Sequence, residues 1–435
     1  MNSMNRRTFL KTTALTAGAV AIPSFVPSTV FGQNAPSEKI VMASIGTGGQ
    51  GRGNLNNFLQ HPDVKVVAVC DVDKNNAKAA LSMVNEAYKN ADCKQYGDFR
   101  ELLAKEKDVN AVCISTPDHW HGLTSIAAAK AGKDIYCEKP LTNTVAEGKA
   151  VYAAVKRYGR ILQTGSHERS NESGRYACEL VRSGKIGKLQ TMIVNLPCIE
   201  EHHKAIINDA GEHPEMPIPK ELDWDMWLGH TPMVPYNDKR CHFFWRFIMN
   251  HGGGEMTDRG AHVIDIGQLG NGTDNTTPVE YWAKGTLPKS KLYNTYFNFE
   301  FKCKYANGVE MIGTSNEPRG IKFVGADGWI FVHIHGCSLE ASNPDLLKIK
   351  LGPNDVNLGR TKGHHRNFLD SVKSRQQPFA SAEVGYHSAT ICHLLNISMQ
   401  LDSAKLLWDP TKEEVTNNAT ANSMLARPMR APWRL

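Results

Sequence analysis

Residues 39–51 read KIVMASIGTGGQG. The apolar run from Lys39 to Ile45 is strand-like. It breaks into a loop with G-x-G-x-x-G spacing at Gly46, Gly48 and Gly51, and a helix is expected from Arg52 to about His61. In this setting the first glycine permits a tight turn, and the second lets the backbone approach a pyrophosphate. The third lets the helix pack closely on the strand. The loop, Gln50 included, leads into free backbone N–H groups at a helix start, which favour an anion. Asp71 stands twenty positions after Gly51, at the end of a second apolar run from Val64 to Cys70. A carboxylate there accepts hydrogen bonds from an adenosine ribose and repels a 2′-phosphate. The expected cofactor is therefore NAD, with NADP disfavoured.

Outward from this loop, strand and helix patterns alternate. A helix is expected over 75–89, another capped by Asp98 and ending near Lys105, and a strand from Asn110 to Thr116. Gly122 to Ala131 reads as a helix closed by Gly132, Asp134 to Glu138 as a strand, and Thr144 with Glu147 as a capping box for a helix to Tyr158. Short apolar strands alternating with helices imply an α/β domain with a doubly wound parallel sheet. After Arg160 the pattern changes. Runs 190–196, 293–305, 309–314 and 329–334 read as longer strands without intervening helices, with late helices over 364–374 and 383–401. This predicts a second, α+β domain on a mostly antiparallel open sheet. The expected organisation is a leader and linker (1–35), a Rossmann domain (36–160), an α+β domain for substrate and oligomer contacts (161–408), and an irregular tail (409–435).

At 435 residues, 41% hydrophobic and 22% charged, the chain has the composition of an ordinary globular protein of two domains. Net charge is +6, and three of the positive charges are Arg6, Arg7 and Lys11. The remainder is spread without a basic run, so nucleic acid is not an implied partner. Asn5-Arg6-Arg7-Thr8-Phe9-Leu10-Lys11 is a twin-arginine signature, followed by an apolar stretch from about Thr12 to Val26. That stretch is shorter than the ~20 residues of a membrane span. Small residues near Gly32 and Ala35 offer cleavage sites. A folded, cofactor-loaded periplasmic protein is expected, with no membrane association once the leader is removed. The ten cysteines form no C-x-x-C pair, and are expected as reduced packing residues.

Two further stretches concern chemistry. Thr116-Pro117-Asp118-His119-Trp120-His121 follows one strand and Glu138-Lys139-Pro140 the next. Both sit at carboxyl ends of parallel strands, where doubly wound sheets bind ligands. Farther on, Asp258, His262 and Asp265 fall at i, i+4 and i+7 after three glycines, on one helix face. A histidine there suits removal of a hydroxyl proton.

On these residues the sequence resembles the Gfo/Idh/MocA family, named for glucose–fructose oxidoreductase and inositol dehydrogenase, from Lys39 to about Trp408. The resemblance implies that Lys139 lies between nicotinamide and substrate and stabilises the reacting oxygen. It places Glu138 near the nicotinamide ribose, Thr116, Pro117 and His121 along the cofactor, and Trp245-Arg246 reaching back toward it. It matches Asp258 and His262 to the family's Asp-x-x-x-His pair, with Asp258 either binding substrate or orienting His262. Arg169 and Tyr236 are candidate sugar contacts. A homo-oligomer through the open sheet is also implied. No metal is expected: Glu201-His202-His203, His242 and His364-His365 read as solvated loop histidines. The implied activity is NAD(P)-dependent oxidation or reduction of a hydroxyl or keto group on a carbohydrate. The alternatives are an NAD-dependent glycosidase using transient oxidation and a non-catalytic cofactor-holding protein.

Overall fold

In the computed structural model of the chain, residues 39–335 and 338–435 are described; the twin-arginine stretch lies outside them. Six strands form a parallel sheet: β1 (Ile40–Ile45), β2 (Val64–Cys70), β3 (Lys94–Tyr96), β4 (Ala111–Ile114), β5 (Asp134–Cys137) and β6 (Leu162–Thr164). Their order is β3-β2-β1-β4-β5-β6. The order reverses between β1 and β4, which opens a crevice at the carboxyl ends. β4 and β5 are buried at every position, as their unbroken apolar runs require when helices cover both faces.

Local chemistry sets the helix ends. Asp73, Asp98 and Thr144 each accept a hydrogen bond from a backbone N–H of the helix they precede. The Thr144 box is only half reciprocal, because Glu147 turns its carboxylate to the Asn143 N–H instead. Helix Asp118–Lys130 begins four residues before the expected Gly122, with Pro117 at its N-cap.

The second sheet has nine strands: β7 (Leu189–Asn195), β8 (Glu280–Thr286), β9 (Phe297–Lys304), β10 (Glu310–Thr314), β11 (Gly320–Gly325), β12 (Trp329–His333), β13 (Leu339–Ala341), β14 (Leu406–Asp409) and β15 (Glu414–Val415). It is antiparallel apart from the β7–β10 pair, in the order β13-β12-β11-β7-β10-β9-β8-β14-β15. β9 shows why it is one-sided. Phe297, Phe299, Phe301 and Cys303 are buried, and the residues between them are exposed. Helices Gly260–Asn271 and Ala382–Gln400 pack on the buried face.

One expectation about the chain's end is corrected. The tail after Trp408 is not irregular: β14 and β15 extend the sheet, because Leu406 and Trp408 alternate inward and the Trp408 indole N–H reaches Thr277 Oγ1 at 3.0 Å. Helix His364–Ser374 returns to the parallel sheet, where Phe368 and Leu369 join the cluster of Phe58 and Tyr136. Arg366 and Lys373 pair with Asp63 there, and Arg375 pairs with Asp134. The nine described cysteines carry free thiols, and all but Cys93 are buried. No helix among the described residues is long and apolar enough to cross a membrane.

Candidate active site

A cavity of about 710 Å³ lies over the carboxyl ends of β1, β2, β4 and β5. Its floor is the glycine loop. Gly46 is left-handed (φ +80°), and a Cβ on Gly51 would fall 2.1 Å from the Gly46 carbonyl oxygen, so only glycine lets this helix sit on its strand. A Cβ on Gly48 would meet nothing within 4 Å, on the side that opens into the cavity. Asp71 is fixed at the end of β2. Thr47 donates its N–H (2.7 Å) and hydroxyl (3.1 Å) to one carboxylate oxygen, and the Asp73 N–H donates to the other (2.9 Å). Burial pushes the Asp71 carboxyl above its usual range against these donors. Arg52 lines the same wall, donating to the Thr47 carbonyl and Asn76.

The opposite wall is built from loops after β4 and β5. Glu138 accepts from Asn54 (2.8 Å) and Gln50 (3.4 Å), and Gly165 leaves room for it, since a Cβ there would lie 2.7 Å from a Glu138 oxygen. His121 ties the two loops together, its ring nitrogens 2.7 Å from the Pro140 carbonyl and 2.9 Å from that of Thr116. Thr116 and Pro117 line the cavity beside them.

Lys139 Nζ donates to the Asp258 carboxylate (2.5 Å) and main-chain carbonyl (3.0 Å). Burial would raise the Asp258 pKa, but the Lys139 ammonium and the Arg246 guanidinium, 3.7 Å away, hold it well below the carboxylate range. His262 is 3% exposed and lines the cavity. Burial first, then Lys139, His167 and His335, push its pKa well below the usual histidine value, so it is a neutral imidazole. Its Nδ1 has no hydrogen-bond partner among the described residues. Arg246 lies over the Trp245 ring (4.4 Å to the centroid), and both line the cavity. A neutral base, a fixed cation and a paired carboxylate beside a phosphate-sized loop can move a hydroxyl proton and stabilise an alkoxide.

Of the sequence candidates, the cavity gathers Gly46, Gly48, Gln50, Asp71, Thr116, Pro117, His121, Glu138, Lys139, Trp245, Arg246, Asp258 and His262. Gly51 acts from behind it. Arg169 and Tyr236 stand elsewhere. The Arg169 guanidinium is buried, held by Asp265 (2.6 Å) and Asp274 (2.6 Å), and is not part of the cavity lining. Tyr236 packs edge-on against Trp224. Asp265 is therefore an ion-pair partner, not a third member of a catalytic face. The solvated-histidine reading is corrected for His203 and His364. His203 is fully buried between Glu200 and Glu255, and His364 between the Thr164 carbonyl and Ser170. Asp118, His167 and His335 also line the cavity; sequence reasoning missed them, along with Asn54 behind Glu138.

A doubly wound parallel sheet with this loop, faced by residues from the helical connection between β7 and β8 of an open mixed sheet, defines a Rossmann-type oxidoreductase. Residues 40–166 match the oxidoreductase family's NAD-binding Rossmann fold, and 177–435 match its C-terminal alpha/beta domain. The chain belongs to the Gfo/Idh/MocA oxidoreductase family. It is 35% identical over 126 residues to inositol 2-dehydrogenase of Salmonella typhimurium, covering 29% of this chain and 36% of that protein. It is 36% identical over 143 residues to a glycosyl hydrolase family 109 protein of Stenotrophomonas maltophilia, covering 32% and 30%. Levoglucosan dehydrogenase of Pseudarthrobacter phenanthrenivorans is 38% identical over 92 residues, covering 21% and 23%. The chain thus spans well under half the length of these relatives. Among solved structures, aldose-aldose oxidoreductase from Caulobacter crescentus, complexed with glycerol, superposes with a TM-score of 0.61 at 19% identity, covering 85% of this chain and 99% of that one. The WlbA dehydrogenase from Bordetella pertussis, in complex with NADH and UDP-GlcNAcA, gives 0.62 at 16%, with the same coverage. At these identities the likeness concerns the fold.

Proposed function

We propose that the protein is an NAD-dependent oxidoreductase acting on a hydroxyl or keto group of a sugar or cyclitol, exported folded to the periplasm with its cofactor held. The observation that carries this reading is the convergence of Lys139, Asp258 and His262 in one cavity with the Gly46–Gly51 loop. The residues fit the cofactor: Gly48 leaves open space where a pyrophosphate approaches, and Asp71 is fixed for a ribose. Glu138, Thr116, Pro117, Trp245 and Arg246 form the remaining wall. Bound nicotinamide supplies the acceptor for the hydrogen leaving the carbinol carbon. His262, neutral and desolvated, takes the hydroxyl proton. Lys139, held in place by Asp258, donates to the oxygen as negative charge develops on it. Asp258 thereby positions the ammonium and balances Arg246.

The relatives support a carbohydrate substrate, since they include inositol and levoglucosan dehydrogenases. A second reading, transient oxidation followed by loss of an aglycone, is favoured by the stretch shared with the glycosyl hydrolase family 109 protein. The deciding experiment is mass spectrometry of a panel of sugars and aryl glycosides incubated with purified protein. Accumulation of a keto-sugar supports the dehydrogenase. Free aglycone without net redox change supports the second reading, and no product from any member defeats both.

A further inference from the structure

The wall of the cavity beside His262 is made by two segments that the mechanism does not use. His167 and Glu168 open the turn after β6, and His335 follows β12. Glu168 is 4% exposed, and one of its carboxylate oxygens lies 3.2 Å from His167 Nε2 and 3.3 Å from His335 Nδ1. The same oxygen accepts the His335 backbone N–H at 3.2 Å, which fixes it between the two rings. One ligand atom from each of the three residues falls within 4.8 Å of the others.

These spacings exceed the 2.7–2.9 Å usual for a charge-assisted hydrogen bond. They are close to the separation of ~3.4 Å expected between ligands that share a tetrahedral ion at about 2.1 Å. His335 holds a left-handed backbone (φ +67°), uncommon outside glycine. His167 and His335 border both the main cavity and a second recess of about 550 Å³, so an ion here is reachable from solvent. The His262 ring is tilted against His167 (4.6 Å) and edge-on to His335 (5.3 Å), with its Nδ1 unpartnered among the described residues.

We propose that His167, Glu168 and His335 form a binding site for a divalent transition cation of the zinc class, with an open coordination position facing the cavity. Two imidazoles and one carboxylate are the donor set of a catalytic rather than a structural zinc site, in which a fourth position is kept for an exchangeable oxygen. The open position takes a hydroxyl or carbonyl oxygen of the bound carbohydrate and so fixes its orientation beside His262 and Lys139. That role rests on the oxidoreductase reading; the cation site itself does not. The other histidine–carboxylate group, Glu200, His202 and His203, differs in its electrostatics, because Arg259 and Arg319 crowd Glu200 and repel a cation.

The test is titration of purified, chelator-treated full-length protein with Co²⁺ followed by visible absorption, then displacement by Zn²⁺, with no NAD or sugar present. One saturable equivalent per chain is expected. His335→Ala and Glu168→Gln should each weaken it at least about tenfold, while His202→Ala leaves it unchanged. Circular dichroism checks each variant, and His167→Ala replaces any that does not fold. Absence of saturable Co²⁺ uptake by the wild type overturns the proposal. So does uptake that survives His335→Ala or is abolished by His202→Ala. Because the titration uses no substrate, its failure leaves the oxidoreductase reading standing, and failure of the sugar panel leaves the cation site standing.

Discussion

Lys139 follows β5 and Asp258 ends the helix Glu255–Asp258, and the Lys139 ammonium donates to both the carboxylate and the carbonyl of Asp258. The Asp258 carboxyl titrates below its unfolded range, so the pair's contribution to stability is present above about pH 4 and is lost only as pH falls further. Asp258→Ala leaves Lys139 and Arg246 facing each other without a counter-charge. It is expected to lower stability by about 3 kcal/mol, read from urea unfolding at pH 7. In a double-mutant cycle with Lys139→Ala the combined loss should fall clearly short of additivity. Additive losses would show that the pair is not a coupled unit.

Lys139→Ala and His262→Ala are expected to lower turnover by ~10²–10⁴-fold. Each should keep its bound cofactor, since neither residue belongs to the glycine loop or the Asp71 wall. Single-turnover rates and cofactor content on the same preparations check this. A variant with near wild-type turnover removes that residue from the chemistry.

Buried neutral histidines make the fold acid-labile. His251 is pushed down to about 3 and His393 to about 4, with burial the first cause in both, and His119 is held well below its usual value. The unfolded chain protonates near pH 6.5, so from there down to the native values it binds protons that the fold refuses. Each group then removes up to about 1.4 kcal/mol per pH unit. The melting temperature should fall steadily from pH 7 to pH 5. A flat or rising profile over that interval contradicts the assignment of these rings as neutral.

Arg169→Ala is expected to act on folding and not on substrate affinity. It strands the Asp265 and Asp274 carboxylates, at a cost of about 3–5 kcal/mol for a broken buried pair. Arg169→Lys should not rescue it, because a single ammonium cannot reproduce a fork divided between two acids. Stability against denaturant falls while KM of the folded protein stays unchanged; a raised KM with intact stability would restore Arg169 to the sugar site.

This difference marks what the sequence could carry. The glycine loop, Asp71 and Lys139 were legible because their meaning lies in short spacings around the ends of parallel strands. Asp258 and His262 were legible as a pair four positions apart, although the single helix expected for them is divided into Glu255–Asp258 and Gly260–Asn271. Asp265 misled for the same reason: an i+7 spacing gives the face but not the depth, and one turn farther along, that face is already closed over Arg169. His167, His335 and Asn54 carry no local signal, since each gains its role from a partner brought in by long-range pairing. β14 and β15 were hidden because strands of four and two residues leave too little alternation to separate from a loop.

Both Asp71 oxygens are engaged by Thr47 and Asp73, so the carboxylate cannot swing away to admit a 2′-phosphate. Arg52 lines the same wall, where its Nη1 donates to the Thr47 carbonyl and Asn76. The charge of Asp71 should therefore dominate over that of Arg52, and the wild type is expected to bind NADH at least tenfold more tightly than NADPH, a difference of about 1.4 kcal/mol. Asp71→Ala removes a ribose acceptor and the repulsion together. It should weaken NADH and strengthen NADPH, since Arg52 then meets the phosphate without an opposing carboxylate. Asp71→Asn keeps the side chain's size while removing its charge, so it isolates the repulsion: NADPH affinity should rise with little loss for NADH. Fluorescence titration of cofactor-free protein with each dinucleotide reads all three. Preference of the wild type for NADPH would show that Arg52, not Asp71, governs this wall, and the reading of the second strand would be reversed.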